Sequence, residues 1–121
     1  MEYRIDDRQL NAAVFIAFVN KVWPGKYDAD RTAEALSNTL NITAYDGETL
    51  VGCLRILTDG YFFGTITEML VLPEYQRQGI GSRLLQLARK ILRQCCISER
   101  SRMQRNSMKE TVARRDFNPI Q

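Results

Sequence analysis

The run Gln76-Arg77-Gln78-Gly79-Ile80-Gly81-Ser82 sets two glycines two positions apart, with Arg77 and Arg83 on either side. A strand-like stretch, "EMLVL" from Glu68 to Leu72, precedes it, and an amphipathic helical pattern follows. The first turn of a helix carries unpaired N–H groups and the positive end of the helix dipole. Glycine there lets an anion approach the main chain without meeting a Cβ. The spacing therefore suits a backbone cradle for a diphosphate, with Arg77 and Arg83 as flanking cations. A glycine pair that only permits a tight turn or close packing is the plainer alternative.

Two other phosphate motifs are excluded. A P-loop needs Lys-Ser/Thr after its last glycine, and here Gly81 is followed by Ser82-Arg83. A dinucleotide fingerprint needs a third glycine where Leu84 stands, and a strand running almost directly into the glycines rather than through "PEYQRQ". The chain has no histidine, so Ser-His and Cys-His nucleophilic machinery is excluded as well.

The elements that must position this turn are legible in outline. Tyr3–Ile5 reads as a short strand. Asp6 or Asp7 then caps a helix whose apolar face is Leu10, Ala13, Val14, Ala17 and Phe18. "WPGKYD" breaks it at Trp23–Asp28, and a second helix runs from about Ala29 to Thr39 with Ala33, Leu36 and Leu40 inward. Three strands follow, Asn41–Tyr45, Thr49–Leu57 and Tyr61–Leu72. Asp46-Gly47 and Asp59-Gly60 separate them, and Asp-Gly favours tight hairpin turns. The last strand ends at Pro73, and a helix starts near Gly79 with Ile80, Leu84, Leu87, Ala88 and Ile91 on its buried stripe. The fold class is α+β: helices on a mostly antiparallel sheet.

At 121 residues the chain is of single-domain length, without an apolar run that could span a bilayer. Three cysteines, two of them adjacent, make no disulfide framework and point to a reduced, cytoplasmic protein. Charge is uneven. Residues 1–88 carry 8 Lys/Arg and 11 Asp/Glu, a net of −3, whereas residues 89–121 carry 9 and 3, a net of +6. The tail has charge but no interleaved aromatics, so it reads as a solvated charge run rather than a nucleic-acid surface.

Motif and element order together resemble the GNAT superfamily of acetyl-CoA-dependent N-acetyltransferases, from Tyr3 to about Ala88. Gln76-Arg77-Gln78-Gly79-Ile80-Gly81 matches its signature Gln/Arg-x-x-Gly-x-Gly/Ala. The resemblance implies acetyl-CoA as co-substrate and no metal. It implies a pyrophosphate held at Gln76, Arg77, Gln78, Gly79, Ile80, Gly81 and Ser82, chiefly by main-chain N–H groups. The pantetheine arm would lie along Leu70, Val71 and Leu72, with the N–H near Val71 polarising the thioester carbonyl. The acceptor, a small-molecule or peptide amine, would attack directly. Glu68 is the candidate general base, through a water; a strand carboxylate facing solvent or an arginine is the alternative. Trp23, Lys26 and Tyr27 would lie on the acceptor side, and core packing is the other reading of Trp23.

The resemblance stops near Ala88. The family's fifth strand and fourth helix, with its tyrosine, are not visible in "RKILRQCCISERSRMQRNSMKETVARRDF". Residues 1–88 are thus expected to form the acetyl-CoA-binding core, and residues 89–121 a basic tail, either a helical extension or disordered. Joining the third base of each codon to the first two of the next lets permitted codons spell "TMLYFGAQP" and "AEEFYERNG", a strand and helix of the family's type. The tail is therefore expected to be a frame-shifted C-terminus, which the gene's nucleotide sequence would decide. Without a fifth strand, the fourth presents an open edge, and pairing there with a second copy is expected. The alternative to an enzyme is an impaired module that binds coenzyme A or self-associates.

Overall fold

A computed structural model of the chain describes residues 1–96. What the sequence led us to expect of residues 97–121 lies outside them. The elements are β1 (Glu2–Arg4), α1 (Ala12–Val22), α2 (Ala29–Ser37), β2 (Leu40–Asp46), β3 (Thr49–Thr58), β4 (Gly64–Val71), a 3₁₀ turn (Pro73–Tyr75) and α3 (Ile80–Cys95). The four strands form one antiparallel sheet in the order β1-β2-β3-β4. Both Asp-Gly turns carry the expected left-handed glycine, Gly47 at φ 63° and Gly60 at φ 85°, but only the first is tight: β4 opens at Gly64 rather than Tyr61, because Asp59 Oδ1 accepts from the N–H groups of Tyr61, Phe62 and Phe63 and holds them in a loop. This is the α+β fold anticipated from the sequence.

Helices cover both faces of the sheet. A Cβ on Gly52 would touch Ile80 and Leu84, so that face of β3 carries α3. Arg55, an odd number of residues along the same strand, points the other way and lies 5.8 Å from the Phe15 ring of α1. The core between these layers is built on Ile42, Val51, Leu54, Ile56 and Leu84, all essentially without solvent contact.

One irregularity in β4 governs the site. Arg55 pairs with Glu68, whereas the next residue, Ile56, pairs with Ile66. Thr67 is thus an extra residue, a β-bulge, and its Oγ1 donates to the Arg55 carbonyl at 3.1 Å. A bulge resets the alternation of faces. Ile66 consequently lies with Leu85 and Leu92 of α3, while Glu68 lies with Phe15 and Trp23 on the α1 side.

Several local expectations need correction. Neither Asp6 nor Asp7 caps α1; Asn11 does, its Oδ1 accepting from Val14 N–H at 2.9 Å. Asp7 is instead buried, accepting from Thr43 Oγ1 at 2.9 Å and Tyr45 OH at 2.8 Å. The buried face of α1 is Phe15, Phe18 and Val19, leaving Ala13, Val14 and Ala17 exposed. The larger aromatic surface wins the core, since burial scales with apolar area. Ala33 of α2 is likewise exposed and Leu40 opens β2. On α3 the buried residue is Leu92 rather than half-exposed Ile91, and the helix runs past Ala88 to Cys95.

Candidate functional site

The junction of β4 and α3 is the first part of the site. Leu72 N–H donates to Val51 O at 2.9 Å, closing the β3–β4 ladder. Hydrogen-bonded positions alternate along an antiparallel pair, so Leu70–Cys53 is the next such position inward. The main-chain groups of Val71 and Met69 therefore point away from β3, to the edge of β4 that has no strand partner among the described residues. The side chains of Leu70 and Leu72 are buried and their main chains face β3, with Leu72 O also accepting from Tyr75 N–H at 2.9 Å, so the main chain this segment turns outward is that of Met69 and Val71.

The loop between is braced by its own side chains. Gln76 Nε2 donates to Val71 O at 3.0 Å, and Gln78 Nε2 to Glu74 O at 3.2 Å. Tyr75 OH donates to Asp46 Oδ2 at 2.7 Å, tying the loop to the β2–β3 turn; that bond holds the phenol above its usual pKa. Arg77 adopts a left-handed φ of 65°, a conformation that costs a non-glycine residue and is held here by the braces. Gly79 takes φ 87°, ψ 2° as the N-cap of α3, with no side-chain cap.

Ile80 anchors the helix in the core, while Ser82 is exposed. The first N–H groups of a helix have no intrahelical acceptor. Those of Ile80, Gly81 and Ser82 meet no other acceptor among the described residues. A Cβ on Gly81 would stand 3.3 Å from Met69 Cε and 4.0 Å from Val71 Cγ2. The missing side chain thus keeps open a cleft of about 270 Å³ lined by Met69, Val71, Tyr75, Gln76, Arg77 and Gly81. Arg83, the other flanking cation, lies beyond it and reaches Gln86 at 3.3 Å.

The second part is a larger pocket, about 370 Å³, on the α1–α2 face. It brings together residues expected on the acceptor side, Trp23, Lys26 and Tyr27, with the candidate base Glu68. Trp23 is not a core residue: it is 56% exposed, and its carbonyl accepts from Tyr27 OH at 2.7 Å. Glu68 Oε1 pairs with Arg55 Nη2 at 3.1 Å, both side chains being mostly buried. The arginine neighbour considered from sequence is therefore present, and the carboxylate is held against the pocket by it. Arg55 Nε is enclosed and has no acceptor among the described residues.

Arg55, Phe15 and Arg31 were not singled out from sequence. A signal for Arg55 existed: a charge in the apolar strand "TLVGCLRILT", in phase with Val51 and Cys53. No comparable signal marked the other two.

Among the described residues, the outer edge of β4 pairs with no other strand and lies beside helix amides that lack an acceptor, and the α1–α2 face holds a separate side-chain pocket. The model of the acetyltransferase (GNAT) family matches residues 8–109, and the chain belongs to that family. It is 31% identical over 88 residues to a Gibberella zeae protein named as an acetyltransferase, covering 58% of this chain and 50% of that one. The chain thus spans about half the length of the curated relative it matches. A GNAT-family acetyltransferase of Streptococcus pneumoniae superposes with a TM-score of 0.63 at 27% identity, covering 74% of this chain and 66% of that one. The PaiA N-acetyltransferase of Thermoplasma acidophilum, solved in complex with coenzyme A, has a TM-score of 0.53 at 19% identity over 78% of this chain and 74% of its own. That last likeness is one of fold. No helix among the described residues is long and apolar enough to cross a membrane.

Proposed function

We propose that this chain transfers an acetyl group from acetyl-CoA to a primary amine of a small molecule or peptide by direct attack. One observation carries the reading. The unpartnered amides of Ile80, Gly81 and Ser82 lie across a glycine-kept cleft from the edge of β4 to which Val71 N–H is turned. The donor set fits the cofactor, since main-chain N–H groups and Arg77 match a diphosphate, and a free strand edge matches an amide-containing arm.

When bound, acetyl-CoA supplies an activated acetyl thioester. The amides from Gln78 to Ser82 would hold its diphosphate, the Leu70–Leu72 segment would align its arm through the outward main chain of Val71, and Val71 N–H would face the carbonyl oxygen. Glu68, fixed by Arg55, takes the proton of the attacking amine through a water. The N–C bond forms as the C–S bond breaks, and the thiolate leaves. Trp23 and Tyr27 line the acceptor's path. The buried Cys53 thiol, outside any disulfide, supports a reducing, cytoplasmic setting.

A second reading draws on the same edge: a module that holds coenzyme A, or pairs with another copy along β4, without turnover. Calorimetry with acetyl-CoA, followed by thiol release against a panel of amines, separates them. Binding with release supports the enzyme. Binding without release supports the module, and no binding up to millimolar ligand defeats both coenzyme A readings, leaving only pairing along β4.

A further inference from the structure

The larger pocket has an uneven charge distribution that bears on which amine enters it. Five charged side chains line it: Lys26, Asp28, Arg31, Arg55 and Glu68. Glu68 and Arg55 neutralise each other at 3.1 Å; Asp28 caps α2, its Oδ2 accepting from Arg31 N–H at 2.8 Å, and keeps its negative charge, so the lining is net positive by a single charge. Lys26 and the Arg31 guanidinium remain, and neither joins an ion pair among the described residues. Both are exposed, on the rim formed by the α1–α2 connection and the start of α2. Glu68, on β4, is mostly buried, and the buried apolar side chains of Phe15, Val19 and Leu36 line the pocket with it.

A ligand matching this sequence of surfaces has an amine at one end, an apolar middle and an anion at the other. We propose that the acceptor is an anionic amine, bearing a carboxylate or phosphate that Lys26 and Arg31 receive while the amine points to Glu68. This inference rests on the transferase reading for its chemistry, but its geometry concerns occupancy of the pocket alone. Polycationic amines are disfavoured by the net positive charge of the lining.

Trp23 is the only tryptophan of the chain and lines the pocket, so its fluorescence reports occupancy without turnover. The full chain, with coenzyme A present, is titrated with aminohexanoate, aminohexyl phosphate, hexylamine and diaminohexane. One of the two anionic amines is expected to bind roughly three- to tenfold more tightly than hexylamine, the range for one or two partly exposed ion pairs. The tighter of the two names the anion, and diaminohexane binds weakest. The double variant Lys26→Glu/Arg31→Glu, changed only at exposed positions, inverts the order.

Equal affinities, a preference for the diamine, an order unmoved by the double variant, or no response to any amine overturns the proposal. Thiol release is measured alongside. If it is absent while the fluorescence order holds, the transferase reading fails and the pocket assignment stands. If release occurs without that order, the reverse is true.

Discussion

Replacing Gly79 and Gly81 in turn separates what these glycines do for folding from what they do for a ligand. Gly79 lies at φ 87°, and a Cβ built there meets nothing within 4 Å. Alanine at this position therefore pays only for left-handed backbone, about 1–2 kcal/mol. That lowers the ratio of folded to unfolded chain by roughly five- to thirtyfold. Asparagine tolerates the conformation and should recover most of the loss. Gly81 is different: it is the second residue of α3, where alanine gains about 0.5–1 kcal/mol over glycine. Its Cβ would meet Met69 Cε at 3.3 Å, the far end of a flexible side chain that can yield. Stability should hold or rise, yet the methyl would stand between the helix amides and the β4 edge. Losing a charge-assisted hydrogen bond there costs about 1.5–3 kcal/mol, at least tenfold in affinity. Urea unfolding and calorimetry with coenzyme A read the two quantities independently. The expected pattern is that Gly79→Ala loses stability and affinity together, Gly79→Asn restores both, and Gly81→Ala loses affinity alone. A Gly81→Ala protein that binds coenzyme A as the parent does, or a Gly79→Ala protein as stable as the parent, refutes the argument.

Three further outcomes follow from the core. Leu92 is fully buried beyond Ala88, so Leu92→Ala should cost about 2–5 kcal/mol in urea unfolding if the end of α3 belongs to the fold. Asp7→Ala leaves the hydroxyls of Thr43 and Tyr45 without their buried acceptor and should cost about 2–4 kcal/mol, with the unfolding slope unchanged. Alkaline stability should also fall. Burial pushes the Cys53 thiol from 9.0 up to about 12, and burial with the Asp7 hydrogen bond pushes the Tyr45 phenol from 10.0 to about 12. Both groups keep their protons more tightly when folded, so their contribution is whole below pH 9 and fades as pH rises toward 12. Cys53→Ala should flatten the pH dependence of urea stability in that window, and an unchanged slope counts against the assignment.

The hairpins and the glycine turn were legible because their signals are local. Asp-Gly at residues 46–47 and 59–60 demands positive φ wherever the chain goes, and Gly47 and Gly60 supply it. Gly79 is similar: its neighbours in sequence are its neighbours in the junction. Helix faces were less legible. "AAVFIAFV" is apolar all round, so helical spacing alone could not choose between Ala13-Val14-Ala17 and Phe15-Phe18-Val19. Only the area available to bury on the sheet decides that.

The candidate base presents the hardest case. A two-residue period assigns Ile66 and Glu68 to one face, and nothing in "TITEML" says otherwise. Thr67 breaks the period because β3 and β4 slip by one residue opposite Arg55, a property of the pair and not of either strand. The slip lets Ile66 remain under α3 while Glu68 turns to meet Arg55 across the sheet. Without it, every residue from Glu68 to Val71 would exchange faces. Glu68 would then lie beneath α3 and Met69 would fill the pocket. The same defect therefore puts a carboxylate in the larger pocket and sets Met69 and Val71 facing Gly81. The two parts of the site share one structural cause, which the alternation of residues along a single strand cannot reveal.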